Sequence, residues 1–167
     1  MKTSKRVSQK QERSVAKSFN ARPTLASGAI WSQKGDVRNE KYLIECKTTE
    51  KDYYTITASV WEKIAKEAVR DHTRIPLLVI DLKSDHRFIV FRPEDFSTAL
   101  KQPVDVMGVH LPRKSYRLKL DELDELKSLR REYVYGKTFN ICGDMRTLLC
   151  YMREQDFFDN YGEEVFE

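Results

Sequence analysis

Residues 42–48, Tyr-Leu-Ile-Glu-Cys-Lys-Thr, constrain this chain more than any other stretch. Three apolar residues open the run, and a carboxylate and an ammonium then stand two places apart. Side chains at i and i+2 of a β-strand share a face. Read as a strand, the run projects Glu45 and Lys47 together on one side and Ile44, Cys46 and Thr48 on the other. A strand apolar enough to be buried needs cover, which places it inside a layered domain. A second buried strand reads at 75–81, IPLLVID, with 87–91, RFIVF, as its antiparallel neighbour across the turn at 83–86.

The rest of the chain supplies the layers. Residues 1–8 read as a polar, basic, flexible arm, and 9–19 as a helix with Glu12, Val15, Ala16 and Phe19 along one face. Gly28–Trp31 reads as a strand that turns at Gly35, forming a hairpin with 41–48 whose bend carries Asp36. A helix is expected from Thr57 or Ser59 to about Asp71, with Ser59 and Glu62 spaced as a capping box. Glu94–Leu100 reads as a short helix and 101–114 as irregular. Tyr116, Leu118 and Leu120 alternate with Arg117 and Lys119, which marks a strand. Asp121 starts a helix with Leu123, Leu126 and Leu129 inward. Over 138–160 a second helical stripe of Met145, Leu148, Leu149 and Met152 is expected, followed by an acidic, aromatic tail. Helix, strands, helix, strands, helices is the order of an α/β fold with a mixed β-sheet flanked by helices. At 167 residues the chain reads as one domain: the arm at 1–8, a core at 9–120, and a helical C-terminal extension at 121–167.

Charge narrows the partners. The chain carries +4 overall, but residues 1–22 carry +6 and residues 121–167 carry −6. Phosphates are drawn to the first part and repelled by the last. No apolar run approaches the ~20 residues of a membrane span, so no membrane association is expected. No apolar core follows the N-terminal charges, so the start does not read as a secretory signal. Three cysteines, Cys46, Cys142 and Cys150, suit a reduced, cytoplasmic protein. No CxxC or HxxxH spacing favours zinc.

Asp36, Glu45 and Lys47 are the residue types that metal-dependent phosphodiester hydrolysis needs. Two convergent carboxylates offer hard oxygen ligands to Mg²⁺, and the backbone carbonyl of Cys46 lies between Glu45 and Lys47 as a further oxygen. Such a cation polarises a phosphoryl group and acidifies water. Lys47 can hold the attacking water or offset charge on the phosphate. Glu12 has two readings: a third carboxylate ligating metal or water, or an acid at the margin of its stripe that suits the helix dipole. The plain alternative for Glu45 and Lys47 is a same-face ion pair worth about 0.5 kcal/mol.

Taken together, Glu12, Gly35-Asp36-Val37 and Ile44-Glu45-Cys46-Lys47-Thr48 resemble the PD-(D/E)XK nuclease superfamily. Within it they look most like the archaeal-type Holliday junction resolvases, including those carried by some phages. The likeness spans about residues 9–92. It implies a restriction-endonuclease-like core and a homodimer that nicks four-way DNA junctions in pairs with Mg²⁺ or Mn²⁺. For a phage-encoded relative this happens in the host cytoplasm. By position it implies Asp36, Glu45, the Cys46 carbonyl and Glu12 at the metal, with Lys47 as the catalytic lysine. It also implies a serine between the first helix and Asp36, for which Ser27 and Ser32 both qualify. Gly35 stands where the superfamily name has proline.

Contacts to DNA are expected from Lys5, Arg6, Lys10, Arg13, Lys34, Lys51 and Tyr53. Gly136-Lys137-Thr138 lacks the glycine five places earlier that a phosphate loop needs, and reads as a turn. Two alternatives are another structure-specific, nicking or restriction-type nuclease of the same fold, and a non-catalytic DNA-binding protein. A third is a host- or partner-binding protein whose acidic aromatic tail is the working part: deleting residues 154–167 abolishes function under that reading and leaves DNA cleavage untouched under the nuclease one.

Overall fold

A computed structural model describes residues 4–24, 35–83, 86–96, 113–129 and 136–166. The chain runs α1 (Ser4–Ser18), β1 (Arg22–Pro23), β2 (Val37–Arg38), β3 (Tyr42–Thr48), β4 (Tyr53–Thr57) and α2 (Ala58–Arg70). It continues through β5 (Ile75–Leu82), β6 (His86–Phe91), β7 (Ser115–Lys119), α3 (Glu122–Leu129), β8 (Gly136–Cys142), β9 (Arg146–Arg153) and α4 (Glu154–Phe166). Seven strands form one mixed sheet in the order β1-β2-β3-β5-β6-β9-β8, and β4 pairs with β7 in a separate two-stranded ribbon. The fold is α/β, a mixed sheet flanked by helices on both faces.

The alternation in β3 sorts the two layers. Ile44 and Cys46 join Leu77 and Val79 of β5 in one core, closed by Val15, Ala16 and Phe19 of α1 and by Phe157 and Tyr161 of α4. On the opposite face Leu78 and Ile80 pack with Ile56 of β4, Trp61 and Ile64 of α2, Leu118 of β7 and Leu123 of α3. β3 and β5 are parallel, with Glu45 beside Leu78 and Lys47 beside Ile80. β2 and β3 are antiparallel, joined by an Asx turn in which Asn39 Oδ1 accepts from the N–H groups of Lys41 (2.9 Å) and Tyr42 (2.7 Å).

Several expectations are corrected. α1 starts at Ser4, so residues 4–8 are helix and not a flexible arm. The N-cap of α2 is Thr57, whose hydroxyl accepts from the N–H of Val60. Ser59 lies inside the helix, and Glu62 accepts from the N–H of Asp144 (2.6 Å) instead of closing a capping box. The helix expected from Glu94 is a single 3₁₀ turn, Pro93–Asp95, with residues 97–112 outside the described ones. The Gly28–Trp31 strand also lies outside the described residues.

The largest correction is at the C-terminus. Residues 138–153 belong to a β-hairpin, with β9 inserted between β6 and the edge strand β8. Leu149 and Tyr151 face one core, Cys150 and Met152 the other. A short run buried on both faces has no distinctive period, so helical spacing fits it equally well. Gly136-Lys137-Thr138 opens β8 and is not a turn. The aromatic tail is core: in α4, Phe157 stacks edge-on to Phe91 (5.2 Å between ring centres), and Tyr161 meets Phe96 (4.7 Å). The segment beyond 121 therefore completes the sheet rather than extending it with helices, and the tail is not dispensable to the fold.

Candidate functional site

The site forms where the short β2 ends and β3 runs on past it. Gly35 adopts φ +71°, and a Cβ there would come within 2.8 Å of Leu43 Cδ1, so glycine is what this bend accepts. The bend delivers Asp36 to the edge of β3. Its N–H donates to the carbonyl of Ile44 (3.0 Å), and its Oδ2 accepts from the N–H of Cys46 (2.8 Å). The register pairs Val37 with Ile44 and Arg38 with Leu43. Asp36, just before β2, meets the backbone of β3 at the N–H between Glu45 and Lys47. Asp36 thus precedes the outer strand of the hairpin, and does not lie in its loop.

Lys47 Nζ donates to Glu45 Oε1 at 2.8 Å, with the Glu45 side chain only 11% exposed and that of Lys47 35%. Burial acts against the Lys47 ammonium, but the hydrogen bond and charge of Glu45 outweigh it, and its pKa ends above the ordinary lysine value. Lys47 is therefore a fixed cation, suited to holding water or offsetting phosphate charge and unsuited to taking up a proton. Tyr54 of β4 lies within electrostatic reach of this pair, and burial raises its hydroxyl pKa.

Glu12 is partly buried at the margin of α1. Burial, then the charges of Asp36 and Glu45, raise its pKa. The helix thus adds a third carboxylate within electrostatic reach of the first two. The polar residue at the centre of the inward stripe is its neighbour Gln11, 4% exposed. Gln11 Nε2 donates to the carbonyl of Lys47 (2.8 Å), which ties α1 to the end of β3, while its Oε1 is buried with no hydrogen-bond partner among the described residues. The Cys46 thiol is pushed up by burial and then by the surrounding carboxylates, so it stays neutral and is no nucleophile.

The donors fit a hard divalent cation. Among the described residues no three carboxylate, thiol or imidazole side chains converge into a ready-made cluster. Mg²⁺ keeps several waters, so two carboxylates suffice for it. Backbone groups of one residue leave a strand by the same edge. The Cys46 carbonyl therefore points to the edge where its own N–H meets Asp36.

Beside the site, between α1 and the ends of β3 and β5, lies a groove of about 680 Å³ lined in part by Arg6, Lys10, Gln11 and Thr48. Its floor is an ion-paired cluster. Arg87 is bidentate to Asp81 (2.7 and 2.9 Å) and also reaches Glu154 (3.3 Å). Two of the expected DNA contacts, Arg6 and Lys10, line this groove, whose walls also carry Glu50, Asp81 and Glu154 and none of Glu12, Asp36, Glu45 or Lys47. Lys5 and Arg13 are exposed elsewhere on α1, and Lys51 and Tyr53 lie at the start of the β4–β7 ribbon. Ser27, Ser32 and Lys34 lie outside the described residues. Gln11, Asp81 and Arg87 carried no motif in the sequence that pointed to the site. Gln11 had one legible signal, its i, i+4, i+8 spacing with Val15 and Phe19.

Neither a protein-family model nor a curated protein matches the chain. Among solved structures, the chain is similar to a Holliday junction resolvase from the archaeal hyperthermophile Archaeoglobus fulgidus. The identity is 13%, the TM-score 0.42, and the match covers 68% of this chain and 84% of that one. Among the described residues no helix is long and apolar enough to cross a membrane.

Proposed function

We propose that this chain is a Mg²⁺-dependent (or Mn²⁺-dependent) DNA endonuclease of the PD-(D/E)XK kind that nicks four-way junctions. The reading rests on one observation. Asp36 Oδ2 accepts from the N–H of Cys46 (2.8 Å), the residue between Glu45 and Lys47, and the Lys47 ammonium lies 2.8 Å from Glu45 Oε1. Asp36, Glu45 and the Cys46 carbonyl would hold the cation, and Glu12 would ligate it or its water. When bound, the cation supplies Lewis-acid polarisation of the phosphoryl group and acidifies water. Lys47, kept protonated by Glu45, positions the attacking water or offsets charge growing on the phosphate. Gln11 holds the backbone of Lys47, so the lysine stem leaves the strand from a fixed point. A junction offers two equivalent strands, and a two-fold homodimer presents a site to each.

The test is a cleavage assay on labelled four-way junction, linear duplex, flap and single strand, with Mg²⁺ or EDTA. Paired nicks in the junction alone, abolished by EDTA and by Lys47→Ala, are expected. Equal cutting of all substrates removes the junction specificity and leaves a nuclease. Binding without any cutting refutes the enzyme and leaves Glu45–Lys47 as an ion pair.

A further inference from the structure

The β4–β7 ribbon places a basic face beside the site that no motif announces. Tyr53 pairs with Lys119 and Thr55 with Arg117, so these four share one face, while Tyr54, Ile56, Tyr116 and Leu118 point inward. The inner face is anchored: Ile56 and Leu118 are fully buried. The backbone is pinned at both ends, because the N–H of Ala58 donates to the carbonyl of Lys114 (2.8 Å) at one and that of Leu120 to the carbonyl of Asp52 (2.8 Å) at the other. Arg117 and Lys119 on that face are exposed, as is Lys51 just before β4, and Arg113 and Lys114 are exposed in the segment leading into β7. Among the described residues none of the five has a carboxylate partner in an ion pair. The Tyr53 ring lies between two of them, with the Arg117 guanidinium 4.7 Å and the Lys51 ammonium 5.3 Å from its centre. The nearest acids in the chain, Glu50 and Asp52, lie in the turn before β4, and Asp121 follows β7.

A rigid strand pair carrying unpaired cations on one face is a surface for a polyanion. Its position names which one. The ribbon begins six residues after Lys47, and Tyr54 on its inner face lies within electrostatic reach of Lys47 and Glu45. We propose that the outer face of the β4–β7 ribbon grips the phosphate backbone of a DNA arm flanking the cleavage site, through Lys51, Arg117 and Lys119, with Tyr53 holding Lys51 and Arg117 in place. The assignment rests on the nuclease reading for the identity of its partner. These contacts go to phosphates, so they set affinity and salt dependence without reading sequence.

The experiment is the salt dependence of binding to a fluorescent four-way junction and to its duplex arm, in EDTA and in Ca²⁺, for the wild type and for Arg117→Gln/Lys119→Gln. Each lost phosphate contact removes about 0.9 from the slope of log K against log salt, so the double variant should lose about 2. Arg117→Lys/Lys119→Arg should keep the wild-type slope. Single-turnover cleavage at saturating DNA in Mg²⁺ is run beside it, and the cleavage rate and position should not change. An unchanged slope with cleavage intact overturns the ribbon surface and leaves the nuclease standing. A reduced slope in a chain that cuts nothing keeps the surface and removes the nuclease. No salt-dependent binding by the wild type overturns the surface, as does tighter capture by anionic lipid vesicles than by duplex DNA at equal salt.

Discussion

Replacing Lys47 by methionine separates structure from chemistry at the site. The substitution keeps most of the stem and removes the ammonium 2.8 Å from Glu45 Oε1. Glu45 is then left as a nearly buried carboxylate without its donor. A hydrogen bond to a charged group contributes about 1.5–3 kcal/mol, and the one-third exposure of Lys47 lets water screen part of it. A loss of about 1–2 kcal/mol follows, which for a domain of this size is a fall in Tm of about 2–8 °C. The double variant Glu45→Gln/Lys47→Met replaces the pair by neutral groups and should recover more than half of that loss. Single-turnover nicking of the junction should fall at least about 10²-fold in both variants, the scale of losing one group that stabilises developing charge. Calorimetry and the nicking assay are run on the same preparations. A Lys47→Met protein as stable as the wild type refutes the energetic argument. A double variant that recovers cleavage along with stability refutes the catalytic one.

Gly35→Ala meets both a left-handed backbone and Leu43 Cδ1 at 2.8 Å, and should cost about 1–3 kcal/mol, read as a lower denaturant midpoint at unchanged slope; an unmoved midpoint means the bend adapts. Glu122 accepts hydrogen bonds from Lys137 and from the hydroxyls of Tyr151 (2.6 Å) and Tyr116. Burial raises its pKa, but Lys137 and the tyrosine hydroxyls more than offset that and hold it below the ordinary value of 4.5. A depressed carboxylate stabilises the fold above its unfolded pKa and loses that contribution as pH falls through the folded one. The stability gap between wild type and Glu122→Gln should therefore be widest near pH 7 and close below about pH 4.5; a gap independent of pH in urea titrations contradicts it. Gln11→Met loses the bond to the Lys47 carbonyl but also removes a buried, unpartnered oxygen, so its stability should stay within about 1 kcal/mol of wild type. Gln11→Glu sets a carboxylate against that carbonyl and beside Glu12, and should melt several degrees lower; equal melting points for the two would mean that Gln11 does not hold β3.

Alternation alone determined much of what matters here. Because β3 has a period of two, Glu45 and Lys47 had to share a face. Burying Ile44 and Cys46 behind them required a second layer packed on the sheet, which α1 and α4 supply. The glycine before Asp36 was legible for a local reason as well, since the bend at Gly35 requires φ of +71°. These are short-range constraints, set by covalent geometry within a few residues.

Long-range pairing decided the rest. Met145–Met152 fits a helical stripe as well as a strand, and only insertion of β9 between β6 and β8 resolved it, because both of its faces find cores. The same applies to Gln11, whose role depends on a carbonyl thirty-six residues away. Arg117 and Lys119 became one face with Tyr53 only when β7 paired with β4 across a connection of more than fifty residues. A residue's own neighbours in sequence carry its conformational preference. What it touches is set by strand register and by burial, which only the closed fold supplies.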